Sequence, residues 1–124
     1  MSKVAIVEDD QAIREMYRIK FEAEGHQVFV AENGKRGLEI ARTNQPDIIL
    51  LDLMMPEMTG EQMLSVMRKT DWGKDIKVVV LTNVTKDEAA QGLDDLGVED
   101  YIIKAFYTPQ QVIDMVETIL KRHK

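Results

Sequence analysis

The chain has 124 residues, 44% hydrophobic and 31% charged, a balance that builds a core and excludes disorder. Its formal net charge of -6 disfavours nonspecific nucleic-acid binding, because phosphates need Lys and Arg, so no direct nucleic-acid contact is expected. With no cysteine, disulfides, thiolate zinc sites and thiol nucleophiles are excluded.

Met1-Ser2-Lys3 leads straight into Val4-Ala5-Ile6-Val7, with no long apolar signal region. No later run approaches a membrane span, so no membrane contact and a cytoplasmic location are expected. The run 4–7 is apolar throughout and reads as a buried strand, cut off by Glu8-Asp9-Asp10. Ile13, Tyr17 and Phe21 recur every four residues and predict a helix over 11–24, stopped by Gly25. Residues 27–31 form a second strand nearer the sheet edge, and Asn33 caps a helix running to about Arg42.

Ile48-Ile49-Leu50-Leu51 is a second buried run, again ended by a carboxylate, Asp52. Pro56 and Gly60 punctuate a loop, and Thr59 with Gln62 forms a capping box for a helix to about Lys69. Residues 71–75 are turn-like. Val78-Val79-Val80-Leu81 is the third buried run, ended by Thr82. Thr85 with Glu88 caps a fourth helix, running to about Leu96 before Gly97. Tyr101-Ile102-Ile103 is the last strand, ended by Lys104. Thr108, Pro109 and Gln111 open a final helix with Val112, Met115, Val116, Ile119 and Leu120 on one face.

Five strand–helix pairs alternate over 1–124 without an internal linker, which implies one domain. Strands apolar on both faces need helices on both sides, so the fold class is α/β, a doubly wound three-layer sandwich around a five-stranded parallel sheet. Ligands of such sheets sit beyond the carboxyl ends of the strands. That edge collects Glu8, Asp9, Asp10, Asp52, Thr82, Asn83 and Lys104. Asp10 directly precedes a helix and is read as its cap. Crowded carboxylates repel unless a cation joins them, and an all-oxygen set suits Mg2+. One carboxylate beside such an ion can attack a phosphoryl group and become an acyl phosphate, with Lys104 and the Thr82 hydroxyl on the added oxygens. His26, His123 and Trp72 are given no role, and the eight Met residues are read as core and interface filling.

Four blocks, Val7–Asp10, Leu50–Gly60, Val80–Thr82 and Asp100–Lys104, make the chain resemble the receiver (CheY-like) domain of two-component response regulators over residues 3–122. The resemblance implies strand order 2-1-3-4-5. It implies Asp52 as phosphoacceptor, Asp9 as direct metal ligand, Glu8 as an acid acting through water, and Met54 as a backbone-carbonyl ligand. Thr82 and Tyr101 match the switch pair, and Lys104 the lysine that pairs with the phosphorylated site. The implied cofactor is Mg2+, with Mn2+ as an alternative ion. The implied function is a phosphoacceptor switch served by a histidine kinase or histidine phosphotransfer protein, which then changes its binding to a downstream protein. Such a domain catalyses its own phosphorylation and slow dephosphorylation without being a turnover enzyme. Slow loss is expected because the variable positions Met54 and Val84 are apolar and position no water.

Two residues depart from the pattern: Asn83 stands where a small residue is usual, and Ala105 where proline is usual. A non-proline cis bond costs about 2.5–4 kcal/mol, which favours a trans bond before Ala105. Both departures support an alternative, a phosphorylation-independent interaction module that retains the fold. The last helix lacks the charge pattern of the winged-helix regulators' dimer, which leaves a weak or phosphorylation-dependent homodimer open. The chain ends after this helix, so a single receiver domain without an output domain is expected. A flavodoxin-like cofactor site is disfavoured by the three acids after strand one. A hydrolase using an aspartyl phosphate would want an acid where Met54 stands.

Overall fold

The computed structural model describes residues 2–84 and 94–122. Five strands form one parallel sheet: β1 Lys3–Val7, β2 Gln27–Ala31, β3 Ile48–Leu51, β4 Lys77–Thr82 and β5 Asp100–Ile103, in the order β2-β1-β3-β4-β5. The helices are α1 Gln11–Ala23, α2 Gly34–Asn44, α3 Gly60–Arg68 and α4 Pro109–Arg122, with short 3-10 turns at Asp94–Leu96 and Lys104–Phe106. The predicted fourth helix, with its Thr85–Glu88 box, lies outside the described residues except for that first 3-10 turn. Among the described residues no helix is long and apolar enough to cross a membrane.

Successive side chains of a strand point to opposite faces, and the core divides by that parity. Ala5, Val7, Ile49, Leu51, Val78 and Val80 pack on one face against Ile40 and Ala41 of α2 and Met63, Leu64 and Met67 of α3. Val4, Ile6, Ile48, Leu50, Val79, Leu81 and Ile102 pack on the other against Tyr17 and Phe21 of α1 and five apolar residues of α4. Strands sandwiched in this way must be apolar at every position, which is what the sequence runs show. Trp72, in the turn after α3, packs half-buried against the first of these clusters.

Local chemistry starts each helix. Asp10 accepts from the Ile13 amide at 3.0 Å, and Asn33 from the Arg36 amide at 2.8 Å. Thr59 and Gln62 close a full capping box, and Thr108 and Gln111 bond each other's amides in the same way. Gly25 adopts φ +90 after α1, where a side chain would be strained. The second helix runs two residues beyond the predicted Arg42, to Asn44, because Gln45 accepts the left-handed conformation (φ 45) that closes it ahead of Pro46.

Register then aligns the strand tips. Val7 pairs with Ala31 and with Leu51, Leu51 pairs with Val80, and Thr82 pairs with Ile103. The ladder continues one residue further. The Glu8 amide donates to Ala31 O and the Asp52 amide to Val7 O, both at 3.0 Å. Glu8 and Asp52 therefore leave the two central strands side by side, held by sheet hydrogen bonds.

Candidate functional site

Glu8, Asp9 and Asp52 each offer a carboxylate oxygen, and these lie within 4.8 Å of one another. Glu8 and Asp52 are buried, 3% and 6% exposed, whereas Asp9 faces solvent. The Lys104 ammonium, the first group after β5, reaches across β4 into this cluster. It pairs with Glu8 Oε1 and stands 3.2 Å from Asp52 Oδ2. The second Glu8 oxygen accepts from the Asp10 amide at 3.2 Å, and Asp52 Oδ1 accepts from the Met54 amide at 3.2 Å.

The electrostatics follow from this crowding. Burial pushes the Glu8 carboxyl up to about 7, Asp52 adds to the rise, and the Lys104 hydrogen bond holds it back. Burial alone would lower the Lys104 ammonium, but hydrogen bonds and charge from Glu8 and Asp52 outweigh it and hold it above the usual lysine value. Tyr17, buried below the acids, is pushed up to about 12 by desolvation and by the Glu8 charge. It shares a small cavity with Ile13, Leu50, Leu81, Glu8 and Asp52.

Thr82 is fully buried at the tip of β4, and its hydroxyl accepts from the Val84 amide at 3.3 Å. Half-buried Tyr101 donates its hydroxyl to Val84 O at 2.5 Å, so the two switch candidates meet through one residue. Asn83 is exposed and Val84 half-buried. Met54 is 65% exposed, two residues past Asp52. Ala105 lies exposed in the 3-10 turn, and no cis peptide bond occurs among the described residues.

Sequence reasoning missed three contacts. Lys104 is bound to Glu8 as well as to Asp52. Arg14 of α1 donates to the Glu8 and Asp9 carbonyls. Gly60 packs so closely that a Cβ there would stand 2.2 Å from Asp52 O. The Gly60 signal was present in the sequence, as a glycine at the first helical position where an N-cap threonine had already set the turn.

Residues 4–117 match the model of the response regulator receiver domain. The chain belongs to that family. It is 32% identical over 120 residues to the phosphate regulon transcriptional regulatory protein PhoB of Pseudomonas aeruginosa, covering 96% of this chain and 52% of that protein. It is 39% identical over 106 residues to the KDP operon transcriptional regulatory protein KdpE of Escherichia coli, covering 86% of this chain and 46% of that one. The receiver domain of the Francisella response regulator 1452 superposes with a TM-score of 0.86 at 31% identity, covering all of both chains. The chain spans about half the length of the curated relatives it matches. As a receiver domain, it is a phosphoacceptor module of two-component signalling. Receiver domains bind Mg2+ in an acidic pocket, and three clustered carboxylates with no nitrogen or sulfur donor fit such a hard ion.

Proposed function

We propose that this receiver domain takes a phosphoryl group onto Asp52 from a phosphohistidine carried by a histidine kinase or a histidine phosphotransfer protein, and that the new charge remodels a protein-binding face. The observation that carries this reading is the buried Asp52 carboxylate, fixed at the tip of a central strand with an ammonium 3.2 Å away.

One Asp52 oxygen attacks phosphorus, the P–N bond of the donor breaks, and its electron pair leaves with the imidazole. An acyl phosphate forms on Asp52. Asp9 and Asp52, with the Met54 carbonyl and with Glu8 through water, would hold Mg2+, which would supply the charge that neutralises the acids and the phosphoryl oxygens. The Met54 amide orients the nucleophile through its bond to Oδ1. Lys104 then turns from Glu8 to the phosphoryl oxygens, and the Thr82 hydroxyl donates to another. Drawing Thr82 inward pulls on Val84, whose amide it holds and whose carbonyl holds Tyr101. A local charge event thereby reaches the edge formed by β5 and α4, where a downstream protein would read it.

Intact-mass measurement after treatment with a small acyl phosphate and Mg2+ tests this. The wild type gains one phosphoryl unit, and neither Asp52→Asn nor the wild type in EDTA gains it. Equal labelling of Asp52→Asn would remove the assignment. No labelling of either would favour the phosphorylation-independent module, for which the exposed Asn83 and Ala105 speak.

A further inference from the structure

We infer that Arg14 is a positioning residue of the acidic site, fixing the main chain that presents Glu8 and Asp9 to the cation. The inference rests on the reading of Glu8, Asp9 and Asp52 as the site of a hard divalent ion.

Arg14 is an unexpected residue for its place. It lies in the first turn of α1, where the helix dipole disfavours a cation, and no acid accompanies it there. Among the described residues its guanidinium pairs with no carboxylate, whereas Arg18 pairs with Glu15 and Glu22. Instead Nη1 donates backwards, to Glu8 O at 2.8 Å and Asp9 O at 3.4 Å. Both carbonyls lie where the chain leaves the sheet, just past the ladder bond from the Glu8 amide to Ala31 O, in the short link between β1 and α1.

The effect differs between the two acids. Glu8 is held at every polar group: its amide by Ala31 O, its carbonyl by Arg14, and its two carboxylate oxygens by Lys104 and the Asp10 amide. Asp9 is exposed, and among the described residues no hydrogen bond holds its carboxylate. Its direction depends on its backbone, which Arg14 restrains at the Asp9 carbonyl while the Glu8 carboxylate holds the amide of Asp10. A guanidinium is suited to this task because the two N–H groups of the one planar Nη1 point in fixed directions, whereas a lysine ammonium rotates freely. Without Arg14 the link keeps its residues but loses a restraint on the orientation of the Asp9 carboxylate, and the ion must then order it on binding.

The experiment is a Mn2+ titration of the whole chain, followed by the electron paramagnetic resonance signal of the free ion. Thermal unfolding in EDTA is measured on the same samples. Groups that orient metal ligands typically change affinity by 10–100-fold when removed, so Arg14→Met is expected to weaken Mn2+ binding about 10-fold and Arg14→Lys by a smaller factor. Asp9→Asn serves as the ligand-loss reference. Wild-type affinity in Arg14→Met, even with a lowered unfolding temperature, would show a merely structural arginine and overturn the proposal. Where Arg14→Met does not fold, Arg14→Lys decides, and its unchanged affinity is equally fatal. If the wild type binds no Mn2+, the reading of the acids as a cation site fails first and this inference with it.

Discussion

With divalent ions removed, this protein should become less stable as pH rises towards neutrality, and Glu8→Gln should abolish most of that dependence. In the folded chain Glu8 titrates at about 7, against an ordinary value of 4.5. The folded state therefore holds a proton that the unfolded chain has already released. Stability is lost as pH rises from about 4.5 to about 7 and changes little from this group beyond. At about 1.4 kcal/mol for each pH unit separating the two values, the loss approaches roughly 3 kcal/mol. Glutamine keeps the shape of Glu8 and carries no charge. It also turns an amide NH2 towards one of two donors, Lys104 or the Asp10 amide, which costs about 1 kcal/mol that does not vary between pH 4.5 and 8.5. Urea unfolding in EDTA, at intervals across that range, gives both quantities. The wild type should decline up to about pH 7 and then level off, and Glu8→Gln should stay nearly flat. Millimolar Mg2+ should flatten the wild-type curve by replacing the proton. An undiminished slope in Glu8→Gln would refute the account.

Two further substitutions test how the site is held. Gly60→Ala should cost about 1–3 kcal/mol, because the added Cβ meets backbone atoms that cannot turn aside: Asp52 O at 2.2 Å and Leu53 Cα at 3.0 Å. Helix propensity alone predicts the opposite sign, a gain of up to about 1 kcal/mol, so thermal unfolding that finds Gly60→Ala as stable as the wild type would refute the close approach. Lys104→Met leaves Glu8 and Asp52 buried together without their counter-charge. Glu8 should then titrate higher still, and the variant should lose more stability with rising pH in EDTA than the wild type. A shallower curve for Lys104→Met, measured by the same urea unfolding, would contradict the pairing.

The sheet was legible because burial on two faces leaves a plain mark. The runs 4–7, 48–51 and 78–81 have no polar interruption, and each is followed at once by a polar residue that the fold puts at the same edge. The helix starts were legible for a related reason. Asp10, Asn33, Thr59 and Thr108 satisfy orphan amides within three residues, so their evidence is local in the sequence. Strand order was not readable from the runs themselves. It came only with the family resemblance, because parallel neighbours are chosen by packing across long separations. Residues 8 and 104 illustrate the same limit: their ion pair spans 96 positions.

Arg14 and Gly60 mark the boundary between what pattern can show and what only geometry can. Both act on main-chain oxygens, Arg14 on those of Glu8 and Asp9 and Gly60 on that of Asp52. A carbonyl has no residue type, so a sequence names the donor or the vacancy and never its partner. What a sequence can offer is a violated preference: a cation at the positive end of a helix, or a glycine where alanine would suit the helix better. In this chain each violation lies within eight residues of an acid of the cluster. Arg14 is explained by its bonds to the Glu8 and Asp9 carbonyls, and Gly60 by a close approach to Asp52 O that leaves no room for a Cβ. Glu8 and Asp52 are aimed by their own bonds to Lys104 and to the Asp10 and Met54 amides, while residues whose local choice is unfavourable hold, or make room for, the main chain beneath the acids.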